Sequence, residues 1–191
     1  EAGSRSLESM SAVTGAPTGS LGQGLSIADG IALRRSRNPI LNYRTFVMLG
    51  DSEFAEGSVA EALEFAGHYR ISNLIGILNV NRLGQRGETM MGRNLLGYQQ
   101  RIETHGWKTI IIGDGHDMKQ VISGYQQAVA DTMRPVMIIA NTVKGKGISM
   151  MEDKNGWHGK PLSQDECDAA IRELGPIDAG VRGQITGPSH L

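Results

Sequence analysis

The chain has 191 residues, enough for one domain or slightly more. Its 19 Lys and Arg against 20 Asp and Glu leave a net charge of −1, which gives no general electrostatic pull toward nucleic acid or an anionic membrane. A hydrophobic content of 39% excludes disorder along the whole length, and 26 glycines without a G-X-Y period exclude collagen. The single cysteine, Cys167, excludes an intrachain disulfide and a Cys-based zinc site, and fits a reducing, cytoplasmic setting. The longest apolar runs, such as 109–112 and 136–140, fall far short of the ~20 residues of a membrane span. The start has no apolar h-region and no initiator Met, so a processed or excised piece is the expectation.

In chain order, residues 1–17 are rich in Ser, Gly and Ala and read as a lead-in loop. Residues 21–35 carry Leu25, Ile27, Ala28, Ile31 and Ala32 at helical spacing and end in Arg34 and Arg35 before Pro39, a helix with a cationic last turn. Residues 45–49 are a short β-rich run that stops at Gly50. Residues 58–69 predict a helix, with Ser58 and Glu61 spaced as a capping box and Val59, Ala62, Leu63 and Ala66 as its apolar stripe. Further strands are predicted at 74–78, 107–112 and 136–142, and helices at 95–105, 118–131 and 165–174. Residues 175–191 read as a Gly/Pro-rich linker or tail. The strand runs are apolar throughout rather than alternating. The pattern predicts an α/β fold, a parallel sheet with helices on both faces. In such sheets, loops at the carboxyl ends of strands build the ligand site. Here those loops are Gly50-Asp51-Ser52, Asn79-Val80-Asn81, Gly113-Asp114-Gly115 and Lys144-Gly145-Lys146-Gly147.

Asp51, after one strand, is placed either to hold a hard cation such as Mg²⁺ or to cap the next helix; position alone favours the cap. Asn81, after the next strand, offers an amide oxygen, or is a turn residue. In a parallel sheet the two come close together. One acid and one amide undercharge a divalent cation, so a phosphorylated ligand, water and a backbone carbonyl would complete the shell. The stretch Thr18-Gly-Ser-Leu-Gly-Gln-Gly24 leads into a helix and permits close backbone approach to a flat or anionic ligand. It is neither a Walker A motif nor a G-x-G-x-x-G after a strand. Lys144 and Lys146 would neutralise a diphosphate or simply be solvated. His158, beside Trp157 in a loop, reads by itself as structural. The other histidines, His116 among them, form no metal-ligand spacing, and no G-x-S-x-G supports a hydrolase.

Three segments together resemble a known family. They are 18–24; Gly50-Asp-Ser-Glu-Phe-Ala-Glu-Gly-Ser58 with Leu78-Asn-Val-Asn-Arg-Leu-Gly-Gln85; and Asn141-Thr-Val-Lys-Gly-Lys-Gly147 with Asn155-Gly-Trp-His-Gly-Lys-Pro-Leu162. In this order they are similar to the N-terminal, diphosphate-binding (PP-type) domain of transketolase, over about residues 18–166. Asp51 and Asn81 lie 30 residues apart, as in that family's thiamine diphosphate motif.

The resemblance implies that residues 18–174 form the PP domain, and that Asp51, the Asn81 side chain and the Leu83 carbonyl ligate Mg²⁺ (or Ca²⁺) that grips thiamine diphosphate. Gly19, Ser20 and Leu21 would line the ring region, Ser52 would offer its N–H to the diphosphate, and Gln85 and Lys144 would lie beside the cofactor. His158 would face the reacting carbon, and Glu56 would sit at a subunit contact. The implied reaction moves a two-carbon ketol unit from a ketose phosphate to an aldose phosphate, within a homodimer or heterotetramer. Two departures stand out. Position 52 is Ser where the family motif has Gly, which predicts crowding or a changed backbone angle and weaker cofactor binding. The family's first stretch and its pyrimidine-binding domain have no counterpart, so the resemblance implies a split transketolase with a second subunit, or a fragment. A sister thiamine diphosphate enzyme (deoxyxylulose phosphate synthase or a 2-oxo acid dehydrogenase component) and a non-catalytic truncated domain remain the alternatives.

Overall fold

The computed structural model describes residues 19–176 except Pro39. The lead-in at 1–17, Thr18, and the tail beyond Pro176 lie outside the described residues. The described residues form helices α1 (Gln23–Ser36), α2 (Gly57–His68), α3 (Leu95–Glu103), α4 (Met118–Ala130) and α5 (Gln164–Leu174). Between them run strands β1 (Thr45–Gly50), β2 (Leu74–Val80), β3 (Lys108–Ile112) and β4 (Val136–Asn141). The sheet order is β1-β2-β4-β3, and every pairing is parallel.

The topology follows from handedness. The steps β1→β2 and β2→β3 run one way across the sheet, and β3→β4 steps back. Right-handed crossovers then place α2 and α3 on one face and α4 on the other. The side chains agree. Leu74, Leu78, Met137 and Ile139 pack with Leu25, Leu63, Tyr98 and Ile102 in one core. Ile75, Ile77, Val136 and Ile138 pack with Ala128 in the other. The three-layer α/β architecture is the one the sequence predicts.

Three local expectations are corrected. Ser58 is not a helix cap. Glu56 occupies the N-cap of α2 without a side-chain bond, and the Ser58 hydroxyl donates instead to the Gly22 carbonyl at 2.9 Å. The last helix starts one residue earlier than its pattern, because Ser163 and Glu166 form a reciprocal capping box. Coverage of both faces holds for β2 and β4 but not for β1. Phe46 and Met48 are 47% and 67% exposed on the α4 side, because α4 packs over β3 and β4.

The start of α1 is tied to the site edge through Gly22. Its N–H donates to Glu53 Oε1 at 2.9 Å, while Glu53 Oε2 accepts from Gly50 N–H at 3.3 Å. Gly22 holds φ 83, and a Cβ there would clash with Ser58 Oγ and lie 2.9 Å from Glu56 Cβ. Gly22→Ala is expected to cost about 2–4 kcal/mol through left-handed strain and overpacking. An unchanged urea midpoint would contradict this packing.

Asp29 lies on the buried stripe of α1 with Leu25, Ala28 and Ala32, only 4% exposed, and its Oδ1 has no partner among the described residues. Burial raises its carboxyl from 3.8 to about 7. The folded state therefore keeps a proton that the unfolded chain releases from about pH 4 upward. Stability is full below that point, falls as pH rises toward 7, and levels off above. The neutral isostere Asp29→Asn should match the parent near pH 4 and melt a few degrees higher at pH 8, where about 1 kcal/mol is worth about 2–4 °C. Parallel melting curves across that range would refute the buried charge.

Candidate cofactor and metal site

Parallel strands bring all four carboxyl ends to one edge, and the loops that follow them enclose a cavity of about 570 Å³. Asp51 leaves β1 almost buried, at 4% exposure. Its Oδ1 accepts from Ser52 N–H at 2.8 Å, and its Oδ2 accepts from Asn81 N–H at 3.0 Å and Arg82 N–H at 2.6 Å. Burial holds the Asp51 carboxyl above its usual range, and the amides of Arg82, Ser52 and Asn81 offset only part of that shift. The carboxylate thus pins the β2 loop to the end of β1, which places residues 51 and 81 side by side.

A carboxylate oxygen has two lone pairs, so Asp51 Oδ1, with one bond, keeps one free. Asn81 Oδ1 accepts from Leu83 N–H at 3.0 Å and also keeps one. Among the described residues the Leu83 carbonyl meets only Lys144 Nζ, at 3.5 Å. One carboxylate, one amide oxygen and one carbonyl make a hard, oxygen-only set that fits Mg²⁺ or Ca²⁺. Among the described residues no three His, Cys, Asp or Glu side chains gather as a metal site, so a soft-metal centre has no support there.

Lys144 and His158 continue the lining from Leu83 and Gly84. Lys144 Nζ lies 3.5 Å from the Leu83 and Gly84 carbonyls and 3.1 Å from His158 Nδ1. The loops are locked together by Asp153. Its Oδ1 accepts from Arg82 Nε at 3.1 Å and from an Arg93 terminal nitrogen at 2.9 Å. Arg93 also donates to Asn141 Oδ1 at 3.0 Å and the Thr142 carbonyl at 2.9 Å. The Arg82 guanidinium, with Arg93 behind it, holds the Asp153 carboxyl below its usual range. Arg82 itself sits at φ 66, a strained conformation for a non-glycine residue. Its amide bond to Asp51 and its side-chain bonds to Asp153 fix it there.

Of the residues singled out from sequence, Leu21, Asp51, Ser52, Asn81, Leu83, Gln85, Lys144 and His158 all line this cavity. Gly19 and Ser20 are exposed and do not line it; only Leu21 of that trio does. The Ser52 N–H is committed to Asp51 Oδ1 rather than open to a diphosphate. Ser52 takes φ −67 and ψ −43, an ordinary conformation for any residue, so the expected change of backbone angle does not arise. Space for its hydroxyl comes from Gly84, where a Cβ would lie 3.1 Å from Ser52 Oγ. Glu56 is exposed at the start of α2, outside the cavity.

Sequence reasoning missed Glu53, Thr142 and His116 as cavity residues. His116 follows β3, and the same rule that selected Asp51 and Asn81 would have found it. Glu53, three residues after β1, falls under the same rule, but its tie to Gly22 spans 31 residues and is not written in local spacing.

The sequence matches the family described as transketolase, thiamine diphosphate binding domain, over residues 6–179. It is 45% identical to transketolase-like protein 2 of Bos taurus over 155 residues, 81% of this chain and 25% of that protein. It is 44% identical to the transketolase of Mus musculus over 163 residues, 85% of this chain and 26% of that protein. In structure it is similar to the transketolase of Campylobacter jejuni, with a TM-score of 0.72 and 27% identity over 82% of this chain and 25% of that one. It is likewise similar to the Pichia stipitis transketolase in complex with sedoheptulose 7-phosphate, with a TM-score of 0.73 and 27% identity over 82% of this chain and 24% of that one. The chain spans about a quarter of the length of these relatives. On the match of its sequence and its fold, the chain belongs to the transketolase family, as a thiamine diphosphate-binding domain.

Proposed function

We propose that this domain holds thiamine diphosphate through a divalent cation, Mg²⁺ or Ca²⁺, and serves transketolase chemistry, the transfer of a two-carbon ketol unit from a ketose phosphate to an aldose phosphate. The observation that carries this reading is the meeting of Asp51, Asn81, Leu83, Lys144 and His158 around one cavity in a chain of this family. The cavity has two chemical halves. Asp51, Asn79, Asn81 and Glu53, from the β1 and β2 side, supply oxygens; Lys144, His158 and His116, from the β4 and β3 side and the loop beyond, supply nitrogens. A metal–diphosphate pair is the ligand class that satisfies both.

The bound cofactor supplies a nucleophilic carbon and an electron sink for the two-carbon unit. The chain's own residues bind and orient. Asp51, Asn81 and Leu83 would hold the cation, with Asp51 contributing the only formal charge. Lys144 would offset diphosphate charge. Leu21 would pack against the cofactor's ring region. His158 would donate from its imidazole to a substrate hydroxyl or carbonyl oxygen. A complementary pyrimidine-binding region, from another subunit or a further domain, would complete the site, with Glu56 at that junction, and the working unit would be a homodimer or heterotetramer. The sugar phosphate complex of the Pichia stipitis relative supports this substrate class. A cytoplasmic setting accords with the lone cysteine, and no described helix is long and apolar enough to cross a membrane.

The test is calorimetric titration of thiamine diphosphate with Mg²⁺ into the chain, with and without a pyrimidine-domain partner. Asp51→Asn keeps a hydrogen-bond acceptor for the loop but removes the charge. It should weaken Mg²⁺-dependent binding about 100-fold, ~2.7 kcal/mol, and lower the melting midpoint of the free chain by a few degrees, because the new NH₂ replaces the oxygen that accepts the Ser52 N–H. Binding that ignores both Mg²⁺ and Asp51→Asn would defeat the assignment.

A further inference from the structure

His116 and His158 both line the cavity, and consecutive residues of the loop after β4 touch one ring nitrogen of each. The Val143 N–H donates to His116 Nε2 at 2.8 Å. Lys144 Nζ lies 3.1 Å from His158 Nδ1. A backbone amide nitrogen and an ammonium can only donate. Each imidazole must therefore offer a lone pair at the contacted atom. A neutral imidazole has one donor and one acceptor nitrogen, so the second nitrogen carries the proton. His116 is then the Nδ1–H tautomer and His158 the Nε2–H tautomer. Two adjacent residues fix opposite tautomers in two rings of one cavity.

The proton on His116 Nδ1 has no acceptor among the described residues. The nearby Glu152 carboxylate is engaged by Lys146 Nζ at 3.0 Å and Gly147 N–H at 2.9 Å. His116 belongs to the nitrogen-rich half of the cavity, where its neighbour Lys144 would face a ligand's negative charge. We propose that His116 is a ligand-binding residue that donates its Nδ1–H to a phosphate oxygen of the bound diphosphate, with Val143 as the positioning residue that holds the ring in that tautomer. The proposal deepens the function proposed above and rests on it.

Two measurements test it. Long-range ¹H–¹⁵N spectra of the imidazoles in the whole chain should show His116 protonated at Nδ1 and His158 at Nε2, and Lys144→Met should disturb His158 alone. A His116 protonated at Nε2 overturns the proposal. In calorimetric titration of thiamine diphosphate with Mg²⁺, His116→Ala should weaken binding about tenfold, ~1.4 kcal/mol, and leave unphosphorylated thiamine unaffected. Two further variants separate binding from scaffolding. Asn places an amide N–H near the Nδ1 position and should retain most of the affinity. Gln restores an acceptor near Nε2 for Val143 but no Nδ1–H, and should be as weak as Ala. Rescue by Gln rather than Asn would make the role structural and overturn the proposal.

If His116→Ala binds like the parent while Asp51→Asn does not, this proposal fails and the underlying function stands. If the parent chain binds no thiamine diphosphate, the underlying reading fails. Inorganic diphosphate with Mg²⁺ then decides: binding lost in His116→Ala keeps the anion contact, and binding indifferent to it overturns the contact.

Discussion

The Asp51 carboxylate, buried at the tip of β1, accepts the backbone N–H groups of Ser52, Asn81 and Arg82. A buried charge without such partners would be costly, and a loop without this acceptor would leave two of its amides unsatisfied. The bonds therefore build the site before any ligand arrives. They set Asn81 and Leu83 beside Asp51, and they hold Arg82 in its left-handed conformation so that its side chain reaches Asp153. From Asp153 the same constraint passes through Arg93 to Asn141 and Thr142, just before Lys144. One carboxylate at a strand tip thus sets the spacing of three loops.

The fold was legible because its signals are local. Apolar runs such as Leu74–Val80 and Val136–Asn141 need cover on both faces, and the helices between strands supply it. What stayed illegible was non-local. Ser58 and Glu61 have capping-box spacing, yet the hydroxyl finds the Gly22 carbonyl, a partner 36 residues away that only the packing of α1 on α2 brings near. The exposed face of β1 escaped notice for a similar reason. Phe46 and Met48 are as apolar as the buried residues of β2, and only the placement of α4 over β3 and β4 leaves them open.

The site was legible in part for the same cause. Asp51 and Asn81 follow strands, so topology alone brings them together, and the resemblance to the family adds roles that topology cannot give. His116 follows a strand as well, so the same topology places it on this edge, but the Gly-Asp-Gly-His turn does not say what its ring does there. Only the Val143 amide, 27 residues on, reveals which ring nitrogen is committed. Position 52 shows the converse. A serine in place of the family's glycine reads from sequence as strain, whereas the backbone there is ordinary and Gly84 leaves room for the side chain.

The proposed function of this domain rests on a cation shared by Asp51, Asn81 and Leu83. The direct measurement is anomalous diffraction from crystals grown with thiamine diphosphate and Mn²⁺ in place of Mg²⁺. A single strong peak is expected about 2.0–2.2 Å from Asp51 Oδ1, Asn81 Oδ1 and the Leu83 carbonyl oxygen. Bound cofactor with the metal peak elsewhere, or with no metal between those three oxygens, would contradict it.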